Sequence, residues 1–359
     1  MSKLQVVMDL EVYKDYFLAS FQELISGNVI ELEAYPGKEL DRECLARLIR
    51  RHTIITFNGN HFDLPLVALA LSDPRPERIK QVADAIINRN LKSWQTLEAF
   101  DVKLPKIDHI DLIEVAPGIA SLKIYGGRLH SKRLQDLPIE PDASISPDQY
   151  PLLRRYCRND LQTTKELYIK LQPQIALREQ MSEQYGIDLR SKSDAQIAEA
   201  VLSSEVEKMT GYKVERTAVK EGTVFKYKLP PFISAKTPVL QSAIDMITAA
   251  EFVVGSGGKI IEPDEFKKAT VKIGTSVYRL GIGGLHSSEK CVAHEVGDDE
   301  FLVDRDAKSF YPSIILGQGL TPPAMGSAFL KVYGDVYKSR LTAKQDQQEI
   351  ESKIKELEG

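Results

Sequence analysis

Leu4-Gln5-Val6-Val7-Met8-Asp9-Leu10-Glu11-Val12 is a run of strong β character that carries two carboxylates. Side chains alternate across a strand, so Asp9 and Glu11 project from the same face. Two acids on one face of an otherwise apolar strand fit a solvated edge strand, and they also fit a cation site. Working outward, Val29-Ile-Glu-Leu-Glu-Ala-Tyr35 alternates apolar with polar and predicts a second strand, closed by a turn at Pro36-Gly37. Residues 43–51 place Leu45, Leu48 and Ile49 at helical spacing. Ile54-Ile-Thr-Phe57 predicts a short buried strand and Asn58-Gly-Asn60 a turn. Asp63–Leu71 predicts a helix with Pro65 tolerated in its first turn. Strands alternating with helices predict an α/β layered domain.

Downstream, Pro105, Pro117, Pro138, Pro141 and Pro147 mark a loop-rich part, within which Ile110-Asp-Leu-Ile-Glu-Val115 reads as a strand. Tyr150–Gln172 is amphipathic over a long helical span, and Pro173 is expected to close it. Ser193-Asp-Ala-Gln196 has the form of a capping box. Val277–Leu280 and Phe301–Asp304 read as strands, and the charged tail from Phe329 as a helix.

Two further motifs join Asp9 and Glu11. Asn58-Gly-Asn-His-Phe62-Asp63 puts a carboxylate at a strand-to-helix junction, where α/β sheets place their sites. By itself Asp63 also reads as a helix cap. Tyr156-Cys-Arg-Asn-Asp160 places a phenol and a carboxylate four apart on one helix face, a pair that needs no chemistry to explain it. Taken together, DxE, then NxxxFD, then YxxxD resembles the signature of DEDD-type 3′→5′ exonucleases of the Tyr subclass. It is similar in each motif to the exonuclease domain of phage-like family B DNA polymerases. The resemblance implies an RNase H-like domain with a mixed central sheet over residues 1–175.

It also implies a proofreading role in DNA replication, with two Mg²⁺ or Mn²⁺ ions per site. Phosphodiester cleavage needs an activated water and a stabilised leaving oxygen, which two cations about 4 Å apart supply. Hard cations favour carboxylate oxygen. By resemblance, Asp9 bridges both cations, Glu11 and Asp160 complete one, and Asp63 holds the other. Tyr156 then orients water, and Asn58 and Phe62 contact the terminal nucleotides. Lys123-Ile-Tyr125-Gly-Gly-Arg128-Leu-His-Ser-Lys-Arg133 reads either as a DNA-contacting loop, with Lys123, Tyr125 and Arg128 on the strand, or as an ordinary solvated loop. Asp111 reads as a group behind the site or as an exposed strand residue.

Residues 176–254 read as a mostly helical connector. Beyond them, Asp306-Ala-Lys-Ser309-Phe310-Tyr311-Pro-Ser313 resembles polymerase motif A of the same family. Asp306 is there the implied metal ligand, and Ser309, Phe310 and Tyr311 the nucleotide-binding residues. A strand followed by a Pro turn is the plain alternative. Arg340 and Lys344 match the triphosphate-binding cations of a first fingers helix, or simply an exposed charged helix. The fingers motif KxxxNSxYG and the palm hairpin YxDTD do not occur, and Tyr333-Gly-Asp335 is a decoy. Residues 255–359 therefore read as the start of an incomplete polymerase palm. A second polypeptide is expected to complete it before dNTP and primer-template DNA are used, whereas single-stranded DNA is the expected exonuclease substrate.

Composition agrees with a globular enzyme: 43% hydrophobic and 27% charged residues, with 47 Lys+Arg against 51 Asp+Glu. Apolar runs are too short to span a bilayer, and the first residues lack the pattern of a secretory signal. Cys44, Cys157 and Cys291 form no CxxC pair, which points to a reducing, cytoplasmic setting. Two rival readings remain open: a free-standing exonuclease, and a non-catalytic subunit that positions DNA.

Overall fold

The computed structural model describes residues 3–89, 91–215, 219–288, 290–307 and 309–358. They divide into two compact units, Met1–Glu205 and Val206–Gly359.

The first unit is built on a five-stranded sheet: β1 (Leu4–Val12), β2 (Phe17–Glu23), β3 (Val29–Ala34), β4 (His52–Thr56) and β5 (Asp108–Asp111). The strand order is β3-β2-β1-β4-β5. β1 pairs antiparallel with β2, and β2 with β3, while β4 lies parallel to β1 and β5 parallel to β4. Only β2 runs against the rest, so the sheet is mixed. Alternation along β1 sends Val6, Met8 and Leu10 to one face. There they join Leu45, Leu66, Ile79 and Val82 from α1 (Arg42–Arg51), α2 (Asp63–Ser72) and α3 (Pro76–Asn88) in one apolar cluster. α1 starts on the Asp41 carboxylate, which accepts the Cys44 N–H at 2.8 Å. α4 (Ser93–Ala99) follows α3.

The opposite face is covered by α5 (Leu112–Val115), α6 (Leu122–Arg128) and α7 (Tyr150–Lys170). Ile55, Ile110, Tyr125 and Leu167 form one cluster there, and Tyr13, Tyr16, Leu18, Leu153 and Cys157 another. Two ion pairs fix the rotation of α7. Arg154 forks onto Glu33 at 2.7 and 2.8 Å, and Arg158 onto Glu31 at the same distances. Residues 31 and 33 share a strand face, and 154 and 158 share a helix face, so the two pairs are in register.

α8 (Gln172–Tyr185) carries Pro173 in its first turn. The proline opens this helix rather than closing α7, which ends at Lys170. The chain then returns to the sheet before α9 (Asp194–Thr210). Ser191 Oγ accepts the Asp111 N–H at 2.9 Å and donates to the His109 carbonyl at 2.9 Å, which covers the edge of β5. Buried Arg178 ties the Lys192 carbonyl (3.1 Å) to Asp194 (2.7 Å). These latches tie the chain as far as Asp194 to the first compact unit, which runs to Glu205. The capping box at Ser193 and Gln196 forms as expected, at 3.0 and 3.4 Å.

Three local expectations are corrected. The strand expected over 110–115 stops at Asp111, whose carboxylate caps α5. The expected loop at 123–133 is helical through Arg128, because Ser121 caps it and Tyr125 is drawn into the core. Residues 301–304 form no strand: they have no regular structure, and Phe301 is 84% exposed.

The second unit holds two three-stranded sheets. One is β6 (Val224–Lys226), β7 (Glu251–Val254) and β8 (Ile260–Ile261); the other is β9 (Thr270–Ile273), β10 (Ser276–Gly281) and β11 (Gly284–Ser287). With α10 (Pro238–Ala249) and α11 (Asp264–Lys268), they enclose a small core of Ala243, Phe252, Phe266, Val271 and Leu280. α12 (Phe310–Gly317) and α13 (Gly326–Glu358) complete it. Tyr333-Gly-Asp335 lies inside α13, as the decoy reading expected. Among the described residues no helix is long and apolar enough to cross a membrane.

Candidate active site

β1 is paired with β4 only up to Val7↔Ile55. Asp9 and Glu11 therefore stand beyond the point where the chain leaves β4, in the crevice at the ends of the parallel strands. Asp63 enters the crevice from the start of α2, a helix apolar on every side and therefore fully sunk in the core. α7 crosses the same face and brings Tyr156, Cys157 and Asp160. One ligand atom each of Asp9, Glu11 and Cys157 lies within 4.8 Å of the others. The Cys157 thiol is aimed at Asp9, with its sulfur 3.6 Å from Oδ2 and 3.8 Å from the carbonyl.

The acids act on one another by charge. Burial, followed by the Asp160 charge, pushes Asp9 up to about 7. Burial and then Asp9, Asp160 and Asp63 hold Glu11 well above the usual carboxylate range. Asp63 is raised by burial, then by Asp9 and Asp111. Asp160 is raised by burial against the opposing contacts of Tyr156, Asn159 and Lys123. Glu11 thus meets the charges of the other three carboxylates, and Lys123 opposes the rise of Asp160. The Tyr156 phenol lies against Asp160, and burial together with that charge keeps it protonated.

This donor set fits hard divalent cations. Carboxylate oxygens dominate it, and a divalent cation would take the place of the protons that burial and mutual repulsion favour there. Cys157 does not make it a soft site: burial, Asp9 and Glu11 push the thiol well up, so it is a neutral S–H donor.

No protein-family model matches this chain, and no curated protein matches it. The site's meaning therefore rests on its own geometry and on the motifs that compose it.

Among the other sequence candidates, Phe62 is half-buried at the start of α2, against the core. Asn58 is half-buried at φ 67°, with its N–H donated to Asp111 at 2.7 Å. Lys123 reaches Asp136 at 3.2 Å and acts on Asp160. It lines a small cleft with Leu134, Asn159 and Asp160. Tyr125 is a correction. Its ring is buried in the core, and its hydroxyl donates to the Pro117 and Gly118 carbonyls at 3.1 and 3.0 Å. No ring face is left for a base. Arg128 stacks on that ring, 5.6 Å from its centroid, and is otherwise exposed.

In the second unit, Asp306 is exposed in irregular backbone. Ser309 stands at the start of α12 with φ 51° and accepts from Arg340 Nη1 at 2.9 Å. Phe310 and Tyr311 are exposed with ring centroids 5.7 Å apart, and Lys344 is exposed on α13.

The structure adds groups that sequence did not single out or left open. Cys157 sits between the two halves of a motif read only for its Tyr and Asp. Asp111 is 1% exposed, which removes the exposed-strand reading, and burial raises it to about 6 against three N–H contacts. A lone acid at a strand end gives no local signal of either fact.

Proposed function

We propose that this chain is a 3′→5′ exonuclease acting on single-stranded DNA, the proofreading part of a family B-type DNA polymerase used in replication. The observation that carries the reading is the meeting of Asp9 and Glu11 on β1 with Cys157 on α7 within 4.8 Å, where the charges of Asp63 and Asp160 also act and Tyr156 bonds to Asp160. A mixed sheet with helices on both faces supports the RNase H-like expectation. Divalent cations, when bound, would supply an activated water and charge neutralisation at the scissile phosphate.

The protein's own groups do the rest. Asp9, Glu11, Asp63 and Asp160 would hold the cations, releasing as they do so the protons that burial and mutual repulsion otherwise keep on them. The Tyr156 hydroxyl, whose O–H is given to Asp160, orients the attacking water by accepting from it. Lys123 at the rim meets the phosphate backbone. Asn58 and Phe62, on the turn before Asp63, abut the terminal nucleotide. With Mg²⁺ or Mn²⁺, the protein should release mononucleotides from 3′ ends of single-stranded DNA. Asp9→Ala with Glu11→Ala should lower that rate by at least about a hundredfold. Undiminished digestion by the folded double variant, or full activity in chelator, rejects the assignment.

We further propose that the second unit carries part of a polymerase site around Asp306, which uses dNTP and primer-template DNA only together with the fingers and palm-hairpin motifs that these residues lack. The exposed segment around Asp306 supports this. So does the α13 stripe of Ile350, Ile354 and Leu357, which are 57%, 47% and 87% exposed.

A further inference from the structure

The turn before Asp63 is under local constraint. Asn58 has φ 67°, a region that side-chain-bearing residues rarely adopt. A Cβ on Gly59 would fall 2.0 Å from Thr56 Oγ1, so the backbone runs hard against the end of β4. The turn makes none of the ladder bonds of a strand. It is held instead by one side chain. The Asn58 N–H donates to Asp111 Oδ1 at 2.7 Å, and the Asn60 N–H donates to Oδ2 at 2.8 Å.

The turn in turn starts the helix that carries Asp63. The Phe62 N–H donates to the Asn58 carbonyl at 3.1 Å, and the Leu64 N–H donates to the Gly59 carbonyl at 2.9 Å. These bonds flank Asp63 on both sides. α2 has no side-chain N-cap of its own. Asp111 is itself anchored, since its N–H is held by Ser191 Oγ at 2.9 Å and its side chain is 1% exposed. A continuous path therefore runs from Ser191 through the Asp111 carboxylate and the turn to the backbone of Asp63.

We infer that Asp111 is a positioning residue that clamps the Asn58–Asn60 turn and so sets the place of Asp63 and Asn58 in the crevice. The inference rests on the exonuclease reading for its functional consequence, while the clamp itself is independent of substrate. Both Asp111 carboxylate oxygens are taken up by the Asn58 and Asn60 N–H groups, so it would act through the turn and Asp63 and not as a cation ligand. Groups that orient a metal ligand typically alter affinity or activity about 10–100-fold when removed.

The test uses the full chain with Asp111→Asn, which keeps the shape and one acceptor oxygen, and Asp111→Ala, which keeps neither. Amide hydrogen exchange should accelerate at residues 58–60 in both variants, with β1 unchanged. Mn²⁺ titration should show affinity weakened about tenfold or more in Asp111→Ala and less in Asp111→Asn. Turnover on single-stranded DNA should fall in parallel with Mn²⁺ affinity. In an Asp63→Ala background, Asp111→Ala should weaken Mn²⁺ binding no further, because the two act through one ligand.

Normal exchange at 58–60 in a folded Asp111→Asn protein overturns the clamp. Wild-type Mn²⁺ affinity and turnover in Asp111→Ala overturn the positioning role, and so does an undiminished additional loss in the Asp63→Ala background. A wild-type protein that degrades no DNA defeats the exonuclease reading instead, and leaves the exchange arm to decide the clamp.

Discussion

Asp9 is half-buried and feels the Asp160 charge, and its carboxyl is pushed up to about 7. An unfolded Asp titrates near 3.9. The folded state therefore keeps a proton that the unfolded chain releases above about pH 4, and this advantage disappears as pH rises through 7. Without divalent cations, the wild-type melting temperature should fall between pH 5 and 8. Asp9→Asn should fall less and should melt above wild type at pH 8 by at least about 2–4 °C. Mg²⁺ should raise wild type and leave Asp9→Asn nearly unmoved. Thermal melts across pH, with and without chelator, decide this; a variant less stable than wild type at pH 8 in chelator contradicts the repulsion. Tyr156 differs, because its proposed role is to orient water. Tyr156→Phe should reduce turnover about tenfold or more while Mn²⁺ affinity stays within about twofold. A large loss of Mn²⁺ affinity would reassign the phenol.

At the scale of elements, the site depends on how α7 is set against the sheet. Glu33 is the centre of that contact. It accepts from Tyr16 at 2.8 Å, from Lys38 at 2.8 Å and from Arg154. Burial works against its charge, but Arg154, Lys38 and Tyr16 outweigh it, so the carboxyl sits below its ordinary value. The stabilisation is thus present above the unfolded pKa, near 4.3, and is lost as pH falls through the folded value. Glu33→Gln should destabilise the first unit by about 2 kcal/mol at pH 7, discounted because Arg154 is partly exposed. The difference should shrink toward zero below about pH 4. Urea unfolding at the two pH values checks it, and an equal loss at both would show that packing, not charge, is responsible.

Across the whole molecule, the two units differ in how much they bury. The first has apolar clusters on both faces of its sheet, while the second leaves an apolar cleft of about 480 Å³ lined by Phe225, Leu240, Ile247, Phe266 and Leu285. The proposed half-site predicts that this chain does not extend a primer. Extension should appear when a polypeptide bearing the YxDTD hairpin and fingers helix is added. Primer extension by the purified chain, free of contaminating polymerase, would overturn that reading.

Sequence by itself located β1, α1, α2 and the body of α7, because each advertises its burial through a local period of side chains. It also picked out Asp9, Glu11, Asp63, Tyr156 and Asp160, since each lies at a fixed spacing within a short motif. It passed over β2, although Phe17, Leu18, Ala19 and Phe21 are buried there. It misread α6 and the end of β5, where a Ser cap, a buried Tyr125 and the Asp111 cap outweigh local propensity. Only tertiary structure decided that Cys157 donates to Asp9, that Arg154 and Arg158 lock onto Glu33 and Glu31, and that Asp111 grips the turn before Asp63. Those bonds join residues tens to more than a hundred positions apart. Their strength depends on burial that no local pattern of residues encodes.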